Sequence, residues 1–381
     1  MQNFIYCNPT QLVFGKGSIA KLGDLIDKKR KVMLLFGGGS VKKNGVYDQV
    51  KAALKNHNTV EFWGIEPNPK VETLRRATAQ AKKYKIDFFL AVGGGSVLDG
   101  VKLVAAAARY DGDPWDIVLD GKAKDSLDYA CVITISATGS EMNNGAVISC
   151  EKSGEKFAFF TSKYPIFSIL DPETTYSIPL DQLANGLSDI FVHVLEQYMT
   201  TINQSRIMDR WAEGILQTLI EIAPKVLNNK CDYAIRSDYM LSASLALNGM
   251  IAMGVTQDWA THMIGHELTA FTDIAHGATL AVIYPALLRA QKEQKRDKIL
   301  QYADRVLHIS GESEEIVIEK AIAATESFFR SLGLKTRLFE YGVDENTIDK
   351  IVDRFLERKS VFGDNNNIDA PIVKKILLSC K

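Results

Sequence analysis

The sequence predicts two domains: an α/β domain with a parallel sheet over residues 1–180 and an all-α domain over residues 181–381. Three observations predict this division. The chain has 381 residues, and one domain usually takes about 150. Short apolar runs end at glycine-containing turns in the first 180 residues, whereas the second half carries apolar residues at helical spacing. Strands that alternate with helices favour a parallel sheet covered on both faces.

Three apolar runs in the first half predict buried strands. Each ends in a turn that contains glycine, and apolar residues at helical spacing follow the first two. The runs are residues 31–36 (KVMLLF), 88–92 (FFLAV) and 129–135 (YACVITI). Runs of this length without polar alternation are typical of strands that are buried on both faces.

After about Pro179 the pattern becomes helical to the end of the chain. Two prolines and an acidic helix start in residues 171–182 (DPETTYSIPLDQ) indicate the boundary. Apolar residues recur one or two helical turns apart, which predicts helices packed on helices. The clearest examples are Ile207, Trp211, Ile215 and Leu219, and then Ile318, Ile322 and Phe329.

Composition excludes several classes of protein. Lys plus Arg number 45 and Asp plus Glu 46, a net charge of -1, so no basic footprint for nucleic acid or an anionic membrane is present. Hydrophobic residues make up 46% and charged residues 24%, which excludes disordered and fibrous chains. No apolar run reaches the length of about 18 residues that spans a bilayer, and the start of the chain lacks a secretory pattern. Five scattered cysteines without a CxxC pair indicate reduced thiols, so a cytoplasmic location is expected.

The glycine-containing turns are candidates for binding phosphate. Glycine lets the backbone approach an anion closely, and the N-H groups of a following helix face it. The strings Gly37-Gly38-Gly39-Ser40 and Gly93-Gly94-Gly95-Ser96 do not fit the GxGxxG fingerprint. Tight turns without a ligand would explain one such string. Two of them, together with Thr138-Gly139-Ser140-Glu141, favour a phosphate site.

Five side chains in the helical half have the spacing of metal ligands. Asp189 and His193 are four residues apart, as are His262 and His266, and His276 follows. Residues at i and i+4 share one helix face and can bind one ion. A carboxylate with imidazoles suits Zn or Fe(II). A lone histidine is more often an ordinary core or surface group, and spacing alone leaves open which of His262 and His266 is a ligand.

The combined motifs resemble the iron-containing (group III) alcohol dehydrogenase family, within it the NADPH-dependent butanol dehydrogenase and aldehyde reductase branch. The resemblance extends from about Phe4 to the final helix. It is carried by GGGSVKKNG, GIEPNP, GGGSVLDG, ATGSEMNNGAVIS, the Asp189 and His193 pair, and QDWATHMIGHELTA ahead of His276. It implies a dehydroquinate synthase-like architecture: a dinucleotide-binding α/β domain, a helical domain with the metal, and a cleft between them.

The resemblance also implies roles for individual residues. The metal ligands would be Asp189, His193, His262 and His276, and His266 would be a proton-relay group beside the nicotinamide. The turn after the first strand would receive the adenosine ribose, where the absence of any acid from Gly37 to Lys43 favours a 2'-phosphate and therefore NADP(H). The cofactor residues would be Gly37, Gly38, Gly39, Ser40, Gly93, Gly94, Gly95, Ser96, Asp99, Thr138 and Lys156.

The implied function is reversible reduction of short- to medium-chain aldehydes, such as butanal, to primary alcohols with NADPH and one divalent metal, Fe(II) or Zn. The implied partners are the small aldehyde or alcohol and further copies of the chain in a homodimer or larger assembly, without nucleic acid or membrane. Candidate apolar pocket residues are Met142, Asn143, Val147, Met253, Trp259 and Phe271.

Three alternatives accompany this interpretation. A glycerol- or diol-type dehydrogenase would share the fold, and a dinucleotide or metal sensor would bind without turnover. A dehydroquinate synthase would need several basic side chains for its anionic substrate, and residues 251–280 contain neither Lys nor Arg.

Overall fold

The computed structural model describes residues 1–201, 204–228 and 231–381. Its contacts separate two compact units. The α/β unit comprises Cys7–Ile178 and Cys231–Ser244, and the helical unit comprises Met1–Tyr6, Pro179–Lys230 and Leu245–Lys381. A single boundary at residue 180 would place Met1–Tyr6 in the α/β unit and Cys231–Ser244 in the helical unit. In the structure each of these two segments groups with the other unit.

The strands belong to the α/β unit and confirm the predicted fold class. Six of them form a parallel sheet in the order β1-β8-β5-β4-β2-β3, and β6 and β7 pair antiparallel. The strands are β1 (Gln11–Phe14), β2 (Lys31–Phe36), β3 (Asn58–Phe62), β4 (Phe88–Gly94), β5 (Asp128–Ile135), β6 (Gly145–Cys150), β7 (Glu155–Phe160) and β8 (Phe167–Leu170). The three predicted runs are β2, β4 and β5, and they are almost completely buried because helices cover both faces.

The helices of the first half are α1 (Leu22–Leu25), α2 (Ser40–Lys43), α3 (Val46–Ala53), α4 (Val71–Lys83), α5 (Gly95–Ala107) and α6 (Pro114–Leu119). Those that follow are α7 (Leu180–Tyr198), α8 (Arg206–Leu227), α9 (Tyr233–Ala246), α10 (Ala260–Thr272), α11 (His276–Ala290), α12 (Arg296–Arg305), α13 (Glu314–Ser331), α14 (Glu345–Glu357) and α15 (Ala370–Ser379). None of the helices in the described part of the chain is long and apolar enough to cross a membrane.

The sheet order places both GGGS turns at one point. From β2 the chain moves outward to β3, then crosses back to the other side of β2 to form β4. Such a reversal is where open α/β sheets bind ligands, at the carboxyl ends of the strands. Phe36 pairs with Val92, so the turns that follow β2 and β4 lie side by side. The topology thus agrees with a phosphate site.

Helix α9 joins the α/β unit through buried polar contacts. The Tyr239 hydroxyl donates to the carbonyl of Ser136, and the Ser244 hydroxyl donates to the Glu141 carboxylate. Arg236 is fully buried and donates to the carbonyl of Thr175. The residues in these contacts are 61 to 103 positions apart in the sequence, so no local pattern predicts them.

The buried face of α8 differs from the predicted one. Of the predicted stripe, Ile207 and Trp211 are exposed and Ile215 is half-buried, whereas Leu219 is buried as predicted. The face that packs inward is shifted by one position in the first turns and includes Met208, Ala212 and Leu216. Several apolar side chains of this helix lie on the solvent side, so periodicity identified the helix but not its orientation.

Candidate metal and cofactor sites

The predicted metal ligands converge within the helical unit. Helix α7 carries Asp189 and His193 one turn apart, α10 carries His262, and α11 begins at His276. The Asp189 Oδ1 atom lies 3.5 Å from His262 Nε2, 3.6 Å from His193 Nε2 and 3.8 Å from His276 Nε2. One carboxylate oxygen therefore faces three imidazole nitrogens that come from three helices.

These separations fit the ligand shell of a metal ion. Two ligands that bind one ion at about 2.1 Å with tetrahedral angles lie about 3.4 Å apart, which is longer than a good hydrogen bond. Asp189 Oδ1 and His262 Nε2 are buried and make no hydrogen bond within the described residues. Buried polar atoms normally have a partner, so this pair points to an ion.

Glu196 completes the arrangement, although it belongs to none of the predicted ligand pairs. Its Oε2 lies at hydrogen-bond distance from His262 Nδ1, and its Oε1 accepts a hydrogen bond of 2.6 Å from the Thr261 amide. With Nδ1 bound to a carboxylate, Nε2 is left to face the metal position. The available signal was spacing, because Glu196 stands one turn after His193 and two after Asp189 on the same helix.

Electrostatics distinguish two of the imidazoles. Burial lowers the pKa of His193 to about 4, so this ring is neutral at pH 7, as a ligand must be. Burial also opposes protonation of His262, but the carboxylates of Glu196 and Asp189 outweigh it and raise its pKa to about 9. The site therefore favours positive charge at Nε2, which a metal ion supplies as well as a proton does.

His266 lies beside the ligand cluster. Its ring centroid is 5.0 Å from that of His276 and 6.4 Å from that of His262. The ligand atoms that lie within 4.8 Å of one another belong to Asp189, His262 and His276. His193 is not in this group, although its Nε2 lies 3.6 Å from Asp189 Oδ1. This geometry favours His262 over His266 as the ligand from α10.

Trp259 forms a wall of the metal site. Its backbone is left-handed, with a φ of 69°, and the Asp258 carboxylate accepts from the next amide, that of Ala260, at 2.8 Å. The Trp259 ring meets the edges of His262 and His193, with centroids 5.4 and 6.2 Å apart. Of the other apolar pocket candidates in this unit, Phe271 packs beneath Arg354.

The second GGGS turn has a conformation that depends on glycine. A Cβ at Gly95 would stand 2.5 Å from Thr138 Oγ1, and one at Gly94 would stand 3.1 Å from Ile135. Thr138 is thereby brought to the N-terminus of α5, where Ser96 is also partly exposed. The 13-residue helix begins without a side-chain cap in the described structure. Free N-H groups at a helix start are suited to a phosphate.

The first GGGS turn is more open. Gly37 lies close to the carbonyl of Ile65, whereas a Cβ at Gly38 or Gly39 would meet nothing within 4 Å. Gly39 has a φ of 104°, which disfavours any other residue. Ser40 begins α2 immediately afterwards, and Lys42 rests on the ring of Trp63, with its Nζ 4.1 Å from the centroid.

Asp99 and Lys156 occupy one polar network in the α/β unit. Asp99 accepts 2.6 Å and 2.9 Å hydrogen bonds from the Ser140 hydroxyl and the Val147 amide. Lys156 donates to Asn68 at 2.9 Å. Burial raises the pKa of Asp99, and the charges of Lys102 and Lys156 act against that shift. Asn68 contacts Lys156, and Lys102 contacts Ser140, the partner of Asp99. Neither Asn68 nor Lys102 was among the residues predicted from the sequence to bind the cofactor.

Together, the glycine turns at the sheet reversal and the carboxylate-imidazole cluster are the features expected of a protein that binds a dinucleotide and a metal. Comparison with known families names the class. Residues 9–172 match the model described as iron-containing alcohol dehydrogenase, and residues 183–380 match the C-terminal domain of the same family. The chain belongs to the iron-containing alcohol dehydrogenase family, as its sequence motifs indicated.

Individual relatives extend over the whole chain. The sequence is 48% identical to the NADPH-dependent aldehyde reductase YqhD of Escherichia coli K-12, covering 99% of both chains. It is 39% identical to a probable NADH-dependent butanol dehydrogenase of Bacillus subtilis, again covering 99% of both.

Solved structures agree with this assignment. The crystal structure of Escherichia coli YqhD superposes with a TM-score of 0.98 at 47% identity, covering 100% of this chain and 99% of that one. The butanol dehydrogenase A of Thermotoga maritima superposes with a TM-score of 0.94 at 38% identity, with the same coverage.

Proposed function

We propose that this protein reduces short- to medium-chain aldehydes such as butanal to primary alcohols with NADPH, reversibly, and that it requires one divalent metal, Fe(II) or Zn. The observation that carries the proposal is the buried Asp189 carboxylate with three imidazole nitrogens 3.5 to 3.8 Å away. Membership of the iron-containing alcohol dehydrogenase family supports it, as does similarity to the NADPH-dependent aldehyde reductase of Escherichia coli.

Asp189, His193, His262 and His276 would hold the metal. When bound, the metal and NADPH supply a Lewis acid for the carbonyl oxygen and a hydride for its carbon. Glu196 keeps the Nδ1 side of His262 occupied, so that its Nε2 stays directed at the ion. Trp259 and the buried surroundings exclude water from one side of the cluster. His266 is assigned the transfer of a proton to the product alkoxide, with a water chain as its alternative.

NADPH is proposed over NADH because the turn after β2 offers no carboxylate to accept a ribose 2'-hydroxyl. Residues 37–43 contain three glycines, a serine and two lysines. The open space beside Gly38 and Gly39 can receive a phosphate, whose oxygens would take backbone, hydroxyl and lysine donors. Gly93 to Ser96, Asp99, Thr138 and Lys156 are proposed for the remainder of the cofactor.

A spectrophotometric assay of NADPH oxidation with butanal tests the proposal. The metal-loaded protein is expected to turn over, to lose activity on chelation, and to regain it with Fe(II) or Zn. A protein that binds NADPH and metal without turnover would instead be a sensor. Activity confined to glycerol or a diol would indicate the related dehydrogenase class.

Two histidine variants test the ligand assignment. His276→Ala is expected to lose bound metal and aldehyde reduction while its circular dichroism spectrum stays native. His266→Ala is expected to keep its metal and to lose mainly the rate. If His266→Ala loses metal as completely as His262→Ala, the choice between these two residues is wrong.

A homodimer or larger assembly and a cytoplasmic location complete the proposal. The assembly rests on the family resemblance, and the location on the sequence pattern. Light scattering on the purified protein measures the first, and fractionation of the host cell measures the second.

A further inference from the structure

Lys102 is a fully buried lysine that the mechanism does not use. It stands on α5, and its ammonium donates to Ser140 Oγ at 2.7 Å, Asn143 Oδ1 at 3.0 Å and the Gly145 carbonyl at 2.6 Å. An ammonium has three N-H donors, and these three acceptors use all of them. Lys102 therefore has no donor left for a ligand, and any functional effect must pass through its partners.

All three acceptors belong to residues 140–145, which comprise the end of the connection from β5 to β6 and the first residue of β6. Asn143 also donates to the Gly139 carbonyl, and Ser140 donates onward to Asp99. The hydroxyl of Ser140 thus accepts from Lys102 and donates to a carboxylate on the same helix as Lys102. Burial lowers the pKa of Lys102 to about 8, while the charge of Asp99 acts in the opposite direction.

The same segment carries Thr138, which touches the start of α5. Lys102 is seven residues after Gly95, about 10 Å along the helix axis. One end of the segment is therefore attached to α5 at its second turn, and the other end closes on its N-terminus at Gly95. The separation between Thr138 and the free amides of α5 depends on this attachment.

We propose that Lys102 is a positioning residue that fixes residues 138–145 against α5, and thereby keeps Thr138 and the α5 N-terminus at the separation that the cofactor's pyrophosphate requires. The inference rests on the proposed function, because it assumes that a dinucleotide binds there. It assigns Lys102 to cofactor affinity, with no part in metal binding.

Lys102→Met tests this, because methionine keeps an unbranched side chain, one heavy atom shorter, and removes all three donors. In the metal-loaded protein the Kd for NADPH, measured from nicotinamide fluorescence, is expected to rise about tenfold or more, since small misplacements of binding groups are costly. The amount of bound metal is expected to stay within about twofold of the wild-type value. Ser140→Ala keeps the lysine, removes one acceptor and is expected to raise the Kd by a smaller factor.

Lys298→Met is the matched control. Lys298 is also buried, and it pairs with Asp209 at 2.6 Å in the helical unit. Its loss is expected to lower the Tm and to leave the Kd for NADPH unchanged. The proposal is overturned if Lys102→Met binds NADPH as the wild type does, or if Lys298→Met weakens binding equally.

Two further outcomes separate the inference from the proposed function. Should Lys102→Met fail to fold, Ser140→Ala decides, and an unchanged Kd in that variant overturns the proposal. If the wild type binds NADPH without reducing butanal while the Lys102 variant still binds weakly, the proposed function fails and the positioning role stands. If the wild type does not bind NADPH, both fail.

Discussion

At the residue scale, the proposed metal site depends on a side chain that is not one of the proposed ligands. Glu196 is buried and bonds both His262 Nδ1 and the amide of Thr261. It therefore determines the rotation of the imidazole as well as its tautomer. Partners of this kind typically change metal affinity by about 10–100-fold when they are removed.

Glu196→Leu is accordingly expected to weaken metal binding by about 10–100-fold, because His262 loses the carboxylate that orients it. Competition with a chromophoric chelator measures the affinity. Glu213→Gln serves as a control, since Glu213 is a buried glutamate of α8 that bonds Tyr198. Equal metal affinity in the Glu196 variant and the wild type would contradict the positioning role.

The residue scale also shows where spacing stops being informative. His262 and His266 are four residues apart on α10. The spacing of i and i+4 therefore does not show which of the two is a metal ligand. Rotation of the helix and the position of Glu196 direct Nε2 of His262 toward Asp189, at 3.5 Å. That distance depends on α7, which lies some seventy residues earlier in the chain.

At the element scale, α7 and α11 approach each other closely beside the metal cluster. A Cβ at Gly277 would overlap the backbone carbonyl of Asn185, and the Ser188 hydroxyl donates to the Gly277 carbonyl at 2.7 Å. The neighbouring residues, Asp189 and His276, are proposed metal ligands. Any separation of the two helices therefore moves two proposed ligands apart.

Gly277→Ala is expected to cost about 1–3 kcal/mol in the free energy of unfolding, as overpacking does, and to reduce metal affinity. Urea denaturation and chelator competition measure the two effects. Gly214→Ala is the matched control, because Gly214 lies within α8 with nothing within 4 Å of its Cβ position. That change is expected to stabilise by about 0.5–1 kcal/mol. If Gly277→Ala changes neither the free energy of unfolding nor the metal affinity, the close approach of α7 and α11 is not required for either.

The turn between β2 and α2 is the element that we expect to select the cofactor. Gly38→Asp fits the open space there and adds a negative charge where the 2'-phosphate is proposed to bind. The ratio of kcat/KM for NADPH to that for NADH is expected to fall by about tenfold or more through like-charge repulsion. Gln49→Glu adds the same charge on the exposed side of α3 and is expected to change the ratio little. An unchanged ratio in Gly38→Asp, or a wild-type preference for NADH, would exclude this turn as the discriminator.

At the scale of the whole molecule, acid stability depends in part on Asp128 at the start of β5. It bonds Arg30 at 2.8 Å and Lys163 at 2.7 Å. Burial raises the pKa of Asp128, but the hydrogen bonds and charges of Lys163 and Arg30 have a larger, opposite effect. The pKa of Asp128 therefore lies below its ordinary value. A carboxylate with a lowered pKa stabilises the fold above the unfolded-state pKa, and that contribution disappears as the pH falls through the folded-state pKa.

Asp128→Asn is therefore expected to lower the free energy of unfolding by about 0.5–1 kcal/mol at pH 7, because both ion pairs are partly exposed. The difference from the wild type is expected to persist at pH 5 and to shrink below about pH 4. Denaturation curves at pH 7, 5 and 3.5 measure it. A difference of equal size at all three values would indicate that charge is not the cause.

The order of elements follows from the sequence because its signals are local. Buried strands such as Lys31–Phe36 are predicted by uninterrupted apolar residues, and helices by apolar residues three or four positions apart. The pairs of polar residues four positions apart on α7 and α10 are visible for the same reason. Glycine strings at strand ends indicate a phosphate site because only a turn without side chains permits that approach. These features determined the fold class and the family before any contact was known.

Only the tertiary structure decided the features that depend on distant partners. Residues 231–244 group with the α/β unit through contacts to Ser136, Glu141 and Thr175. Glu196 and Lys102 acquire their roles from His262 and from residues 140–145, which lie tens of positions away. The inward face of α8 likewise depends on what packs against it. Periodicity reports the conformation of a segment, whereas burial, pairing and the direction of a polar side chain are set by neighbours that only folding brings together.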